Sequence, residues 1–118
     1  HAKVAWVNYA GLSDHPDHGL VRQYMGGRAS GVVSFGLKSG DGRAAGARFQ
    51  DALKLFTRLV NIGDAKSLAC HPASTTHRQL NPDELKKAGV SEDMVRLSVG
   101  IEHIDDLLAD LDQALSAV

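Results

Sequence analysis

The sequence has little of what several classes of protein require. Its single cysteine, Cys70, excludes an internal disulfide and fits a reducing compartment. Thirteen basic and 14 acidic residues give a formal net charge of −1, and no basic stripe supports nucleic-acid binding. No apolar run approaches the ~18 residues of a membrane span, and the first residues lack the pattern of a secretory signal. These absences predict a cytoplasmic, globular domain with neither a nucleic-acid nor a membrane partner.

The chain is long enough for one domain, residues 1–118, with a sizeable core. Hydrophobic periodicity predicts strands at 4–7, 31–37, 67–70 and 95–100, and helices at 18–25, 44–59, 81–89 and 103–117. The helix at 81–89 is strongly signalled because Asn81 can cap it, Pro82 suits its first position and Glu84 completes a capping box. This order of elements predicts a layered α/β or α+β domain.

The segment VRLSVG, residues 95–100, places an arginine in the middle of a short strand. Val95 and Leu97 share one face, and Arg96 shares the other with Ser98 and Gly100. Arginine is rarely buried without a partner, and its planar fork of donors fits a carboxylate. Arg96 is therefore a candidate clamp for an amino acid or oxo acid. The alternative is an exposed arginine on a half-solvated sheet.

Two other motifs have a structural interpretation beside the functional one. Gly40, Gly42 and Ala45 fit the outline of a dinucleotide fingerprint between a strand and a helix, but a flexible start of the helix explains them better. Cys70 could be a nucleophile, although a buried structural thiol is the usual role of such a residue.

The histidines form two groups, DHPDH at 14–18 and HPASTTH at 71–77. Neither has zinc-site spacing with cysteine partners, so the sequence predicts no metal site. DHPDH reads as an exposed polar loop. The hydroxyl-rich turn after His71 can either bind a ligand or bond its own backbone.

Four stretches together resemble the Cys/Met-metabolism PLP-dependent enzymes: VAWVNYAGLSDHP, ASGVVSFGLKSG, LVNIGDAKSLACHPASTTHRQL and MVRLSVGIEHIDDLLADLDQAL. The resemblance spans essentially the whole chain in the family's order. It implies the small C-terminal domain of a fold-type I PLP-dependent transferase, an α/β (α+β-like) domain with a mostly antiparallel short sheet covered by helices. It also implies pyridoxal 5'-phosphate as cofactor, bound by an N-terminal domain that precedes residue 1, and a homo-oligomer, typically a tetramer.

The resemblance assigns site residues by their place in the motifs. The arginine of RLSVG grips the α-carboxylate of an amino-acid substrate in the family, and Arg96 occupies that place. Asn61 of VNIG and Thr76 of the HPAS-x-TH motif match further substrate-side positions. The Schiff-base lysine of the family's S-x-T-K motif has no counterpart among the six lysines of this chain. We therefore expect no catalytic or cofactor-binding residue within residues 1–118, which alone should be inactive.

Within the family, LVNIGDAKSL and GIEHIDD resemble the O-acetylhomoserine sulfhydrylases most. This implies γ-replacement of acetate by sulfide or a thiol to give homocysteine, in methionine biosynthesis. The alternatives are the sister activities of cystathionine γ-synthase and methionine γ-lyase. A non-catalytic module that binds carboxylated metabolites is a further alternative for the chain by itself.

Overall fold

A single five-stranded sheet organises the protein, and the computed structural model describes all 118 residues. Its strand order is β1-β2-β5-β4-β3. The pairs β1–β2, β2–β5 and β5–β4 are antiparallel, and only the edge pair β4–β3 is parallel. The strands are β1 (Val4–Asn8), β2 (Val32–Leu37), β3 (Thr57–Arg58), β4 (Leu68–Cys70) and β5 (Met94–Ser98).

Four helices connect and cover these strands: α1 (His18–Tyr24), α2 (Gly42–Ala52), α3 (Pro82–Lys87) and α4 (Ile104–Leu115). A 3-10 turn, Pro72–Ser74, follows β4. The prediction of a mixed α/β domain with a mostly antiparallel sheet is confirmed. None of these helices has both the length and the apolar character needed to cross a membrane.

The main core lies between one face of the sheet and the helices α2 and α4. Antiparallel neighbours and a side-chain period of two send alternate residues of β2 and β5 into this core. Phe35 and Phe49 meet edge to face, with ring centroids 5.7 Å apart. The largest contributors are Phe35, Leu37, Phe49, Phe56, Val95, Leu97, Leu107 and Leu115. The opposite face of the sheet is left free of α2 and α4.

The predicted strands and most predicted helix ends are confirmed. The capping box of α3 forms as the sequence predicts, since Asn81 Oδ1 accepts the Glu84 N–H at 3.0 Å and Glu84 Oε2 accepts the Asn81 N–H at 2.9 Å. Gly89 ends this segment with a φ of 71°, a conformation that favours glycine. Local chemistry therefore determines this helix.

The predicted helix at 44–59 is too long, because α2 ends at Ala52 and Leu53 is already extended. Asp110 of α4 causes the early end. Its carboxylate, 6% exposed as a residue, accepts the backbone N–H groups of Lys54, Leu55 and Phe56 at 2.8–3.0 Å. These donors would otherwise belong to helical hydrogen bonds, so the long-range contact turns the chain into β3.

Helical spacing in 103–117 predicts an apolar stripe on α4, formed by Ile104, Leu107, Leu108, Leu111 and Leu115, and this stripe is only partly buried. Leu107 and Leu115 enter the core, whereas Ile104 and Leu108 stay 58% and 56% exposed. Helical spacing correctly identifies one side of α4 here, but the sheet covers only part of that side.

Replacing Asp110 with Asn should lower the free energy of unfolding by about 1–3 kcal/mol, because the amide cannot accept at both former oxygens and leaves buried donors unpaired. Burial alone would raise the pKa of Asp110, but the N–H groups of Phe56, Lys54 and Leu55 and the Gln113 amide outweigh it and lower the pKa. The ionised Asp110 carboxylate therefore contributes its full stabilisation of the folded state above the unfolded-state pKa of about 3.9. This contribution is lost as pH falls through the lower pKa of Asp110 in the folded protein.

Urea unfolding of wild type, Asp110→Asn and the exposed control Asp112→Asn at several pH values checks this prediction. The gap between wild type and Asp110→Asn should be constant from about pH 5 to 8 and shrink in strong acid. An equal loss in Asp112→Asn would contradict the assignment.

Candidate functional site

Arg96 lies at the middle of the sheet, on the face opposite α2 and α4. Its strand, β5, is flanked by β2 and β4, and the residues paired with Arg96 are Ser34 and Cys70. Arg96 is half-buried, yet its guanidinium forms no ion pair within the protein. We call this side of the sheet the arginine face. Besides Arg96 it carries Trp6, Asn8, Val32, Ser34, Gly36, Leu68, Cys70, Met94 and Ser98.

The residues directly beside Arg96 on the neighbouring strands, Ser34 and Cys70, have small side chains. Ser34 is directly across from Arg96 on β2, and Gly36 is two residues further along the same strand. A Cβ on Gly36 would collide with Nε1 of Trp6, so glycine is what allows the indole to lie across the sheet. The indole of Trp6 therefore covers the face at Gly36, and the chain supplies no ion-pair partner for the Arg96 guanidinium.

Asn61 belongs to the loop between β3 and β4, which we call the 61–67 loop. Asn61 is exposed, and its Oδ1 accepts the Ile62 N–H at 2.9 Å. The Gly63 N–H donates to Ser98 Oγ at 3.2 Å. Ser98 shares the arginine face with Arg96, so this bond brings the loop that carries Asn61 to the same face.

The turn that follows β5 fixes the far end of the 61–67 loop. Glu102 accepts the backbone N–H and the hydroxyl of Ser67, both at 2.8 Å, and Ser67 Oγ accepts the Gly100 N–H at 2.8 Å. Both hydrogen bonds from Ser67 lower the pKa of Glu102, and the bond from the backbone N–H has the larger effect. Neither Glu102 nor Ser67 is a candidate site residue from the sequence alone, although Glu102 belongs to the GIEHIDD segment.

Thr76 is exposed and follows the 3-10 turn. Its Oγ1 lies 2.8 Å from Nδ1 of His77. It borders a polar surface cavity of about 530 Å³ lined by residues 75–80, which is larger than any other cavity of the protein. Arg96 lines none of these cavities. The structure thus links Asn61 to the arginine face through Gly63 and gives no such link for Thr76.

His71 is a buried structural histidine. One ring nitrogen, Nε2, is 2.8 Å from the Glu92 carbonyl oxygen, and the other, Nδ1, is 2.8 Å from Ser74 Oγ. Burial lowers its pKa, which favours the neutral ring with Nε2–H donating. In this tautomer Nδ1 accepts the Ser74 hydroxyl, and the Thr75 hydroxyl donates to the His71 carbonyl oxygen at 2.9 Å. The hydroxyls of the HPASTTH turn therefore form hydrogen bonds within the turn itself, to the His71 and His77 rings and to the His71 carbonyl.

The remaining candidate motifs also have structural roles. In DHPDH, His15 bonds Asn8 at 2.8 Å and His18 bonds the Ala10 carbonyl at 3.2 Å. Cys70 is buried, with Sγ 3.3 Å from Thr75 Oγ1.

The glycine-rich turn at 40–45 is the start of α2. It is preceded by β2, both of whose neighbours are antiparallel, whereas a dinucleotide fingerprint needs a parallel βαβ unit. A flexible start of the helix is the interpretation that agrees with this topology.

A comparison with models of protein families gives one match, to the Cys/Met metabolism PLP-dependent enzymes, over residues 1–116. The chain belongs to this family. The family's members depend on pyridoxal phosphate, so the cofactor expected from the resemblance is confirmed at the level of the family.

Similar proteins within the family have more than one activity. The chain is 54% identical to O-acetyl-L-homoserine sulfhydrylase 1 of Thermus thermophilus, over 97% of the chain and 27% of the relative. It is 52% identical to L-methionine gamma-lyase of Pseudomonas putida, over 98% of the chain and 28% of the relative. The family member thus spans about a quarter of the length of these relatives.

A solved structure assigned to an O-acetylhomoserine (thiol)-lyase of Campylobacter jejuni matches the fold with a TM-score of 0.86. It is 43% identical and covers 98% of this chain, which covers 27% of it, and it carries a pyridoxyl-lysine phosphate residue. The fold expected from the resemblance, that of fold-type I PLP-dependent enzymes, is confirmed.

The residues of this chain do not fit the role of holding pyridoxal phosphate. The cofactor requires a lysine for its imine, and all six lysines here are exposed: Lys3, Lys38, Lys54, Lys66, Lys86 and Lys87. None of them lies in an S-x-T-K motif or on the arginine face. We therefore assign this chain no step that takes place on the cofactor.

The chain of 118 residues, mixed with pyridoxal phosphate and then dialysed, should retain no visible absorbance band of bound cofactor. The reason is that it has no sheltered lysine, and exposed lysines exchange the aldehyde with water. The full-length protein, treated in parallel, should keep its band. A band that survives dialysis of the chain, with a reducible pyridoxyl group on one of its lysines, would contradict the prediction.

Proposed function

We propose that this chain is the substrate-carboxylate domain, residues 1–118, of a PLP-dependent O-acetylhomoserine sulfhydrylase. The full-length enzyme would replace the acetate of O-acetylhomoserine with sulfide or a small thiol and so produce homocysteine. The observation that carries the proposal is the half-buried guanidinium of Arg96, which has no ion-pair partner in the chain and lies between the small residues Ser34 and Cys70. The cofactor, held by another part of the enzyme, supplies the electron sink for this chemistry.

Arg96 would bind the α-carboxylate of the amino acid through two parallel N–H donors. This pairing fixes both the position and the plane of the carboxylate, which a lysine could not do with the same geometry. The contribution to catalysis is orientation: a substrate held in one pose presents the same bonds to the cofactor in every turnover. Because β5 is the central strand and pairs on both sides, the arginine is borne by a rigid element.

Asn61 would supply a second polar contact on the same carboxylate. Its support is the Gly63–Ser98 hydrogen bond, which holds the 61–67 loop against the arginine face. Thr76 is the third proposed substrate-binding residue and has the weaker structural support, because its hydroxyl pairs with His77.

The remaining parts of the proposal concern the intact protein. An N-terminal domain would hold pyridoxal phosphate and cover the arginine face, and the enzyme would act in the cytoplasm as a homo-oligomer, a tetramer in the family's usual form. The support is that the chain accounts for only 27% of its sulfhydrylase relative. A methionine γ-lyase is the second candidate function, favoured by 52% identity to the enzyme of Pseudomonas putida.

Replacing Arg96 with Ala in the full-length enzyme should lower kcat/KM for O-acetylhomoserine by roughly 30- to 5,000-fold, the equivalent of about 2–5 kcal/mol for a lost charge-assisted pair. Most of the loss should be a higher KM. Arg96→Lys should recover part of it, because it keeps the charge and loses the fork. The control is Arg48→Ala, which removes an exposed partner of Asp41 on α2. Steady-state kinetics that show no change in Arg96→Ala would remove this residue from the site.

The proposed activity is tested by supplying the full-length enzyme with each competing substrate pair. We expect homocysteine from O-acetylhomoserine and sulfide at a kcat/KM well above that for methanethiol release from methionine. Cystathionine formation from cysteine should be slow as well. Faster methionine cleavage would make the protein a γ-lyase, and no activity with any pair despite bound cofactor would favour a binding module.

A further inference from the structure

We infer that Glu102 is a positioning residue for the carboxylate site: through Ser67 it holds the 61–67 loop and keeps Asn61 beside the arginine face. The inference rests on the proposed function of Arg96 and Asn61 and extends it to a residue that touches no substrate. It is drawn from three contact points between the loop and the chain that follows Arg96.

The first contact point is the pair formed by Glu102 and Ser67. Each carboxylate oxygen has its own donor, since Oε1 accepts the Ser67 N–H and Oε2 accepts the Ser67 hydroxyl, both at 2.8 Å. Ser67 is fully buried, and its Oγ also accepts the Gly100 N–H at 2.8 Å. Three hydrogen bonds therefore join one residue of the loop to the turn 100–102.

The other two contact points lie along the loop itself. The Ile101 N–H donates to the Ala65 carbonyl at 3.0 Å, and the Gly63 N–H donates to Ser98 Oγ at 3.2 Å. A Cβ on Gly100 would collide with the Ala65 carbonyl oxygen, so the two backbones approach as closely as glycine permits. All the partners, Ser98 to Glu102, follow Arg96 within six residues.

A continuous path of covalent and hydrogen bonds thus runs from Arg96 along the chain and back through the loop to Asn61. Asn61 itself is exposed, and its side-chain oxygen accepts only the adjacent Ile62 N–H. Its position relative to Arg96 therefore depends on the attachment of the loop. Glu102 is suited to this attachment because a carboxylate can accept at both oxygens, whereas a glutamine would present an NH₂ group to one of the two Ser67 donors.

The test is a double-mutant cycle in the full-length enzyme with Glu102→Gln, Asn61→Ala and the combination, measured as KM for O-acetylhomoserine and kcat. Glu102→Gln should raise KM about tenfold with little change in kcat, as Asn61→Ala should. In the Asn61→Ala background, Glu102→Gln should change KM less than about twofold, because the contact that the loop positions is already gone.

Ser67→Ala provides a second variant, which removes the hydroxyl bonds to Glu102 and Gly100 and keeps the backbone bond. It should raise KM in the same direction by a smaller factor, and it serves if Glu102→Gln fails to fold. Leu107→Val is the matched control for stability: it weakens the core on the helical side of the sheet and should lower the melting temperature without raising KM.

The measurements distinguish a failure of the positioning role of Glu102 from a failure of the proposed carboxylate-binding role of Arg96. If Arg96→Ala leaves KM unchanged, the proposed function fails. If Arg96→Ala raises KM but Glu102→Gln lowers only the melting temperature, the positioning role is wrong. Fully additive effects of Glu102→Gln and Asn61→Ala, or an Asn61→Ala variant with normal KM, would overturn it as well.

Discussion

The register of β5 between two antiparallel neighbours is the constraint on which the site depends. It directs Val95 and Leu97 into the core with α2 and α4 and directs Arg96 and Ser98 to the opposite face. A slip of one residue would exchange these sets, burying a guanidinium among aliphatic side chains at a cost of several kcal/mol. The hydrophobic core and the position of the half-buried Arg96 on the opposite face are thus two results of one pairing.

Two carboxylates fix the chain between α2 and β4. Asp110 holds residues 54–56 where that segment leaves α2, and Glu102 holds Ser67 where it joins β4. Both come from one short stretch, the turn after β5 and the helix α4. The segment between them has little packed interior of its own, since Leu59, Val60 and Ile62 are about half exposed. Hydrogen bonds to Asp110 and Glu102 at its two ends therefore fix the backbone of this segment, which hydrophobic burial does not.

The features that the sequence predicted are those whose cause is local. Alternation in 95–100 correctly separated the two faces of β5, and the cap residues Asn81 and Glu84 predicted α3. The end of α2 could not be predicted from its own residues, because the group that ends it, Asp110, lies more than 50 positions later. The role of Glu102 was hidden for the same reason. The pattern alone made Arg96 a candidate clamp for a carboxylate, and the resemblance then named the α-carboxylate of an amino-acid substrate as the expected ligand.

The two borders of the sheet differ in how they resist further strand addition. On one side β3 has only two paired residues and ends in the charged Arg58. On the other, β1 is five residues long and bears an exposed Val7, but its alignment with β2 shifts between Val4 and Trp6. Such an irregularity twists an edge strand, so that its unpaired backbone N–H and C=O groups no longer form a regular row with which another strand can pair. Stacking of molecules edge to edge into continuous ribbons is thereby disfavoured, even with an apolar side chain on the rim.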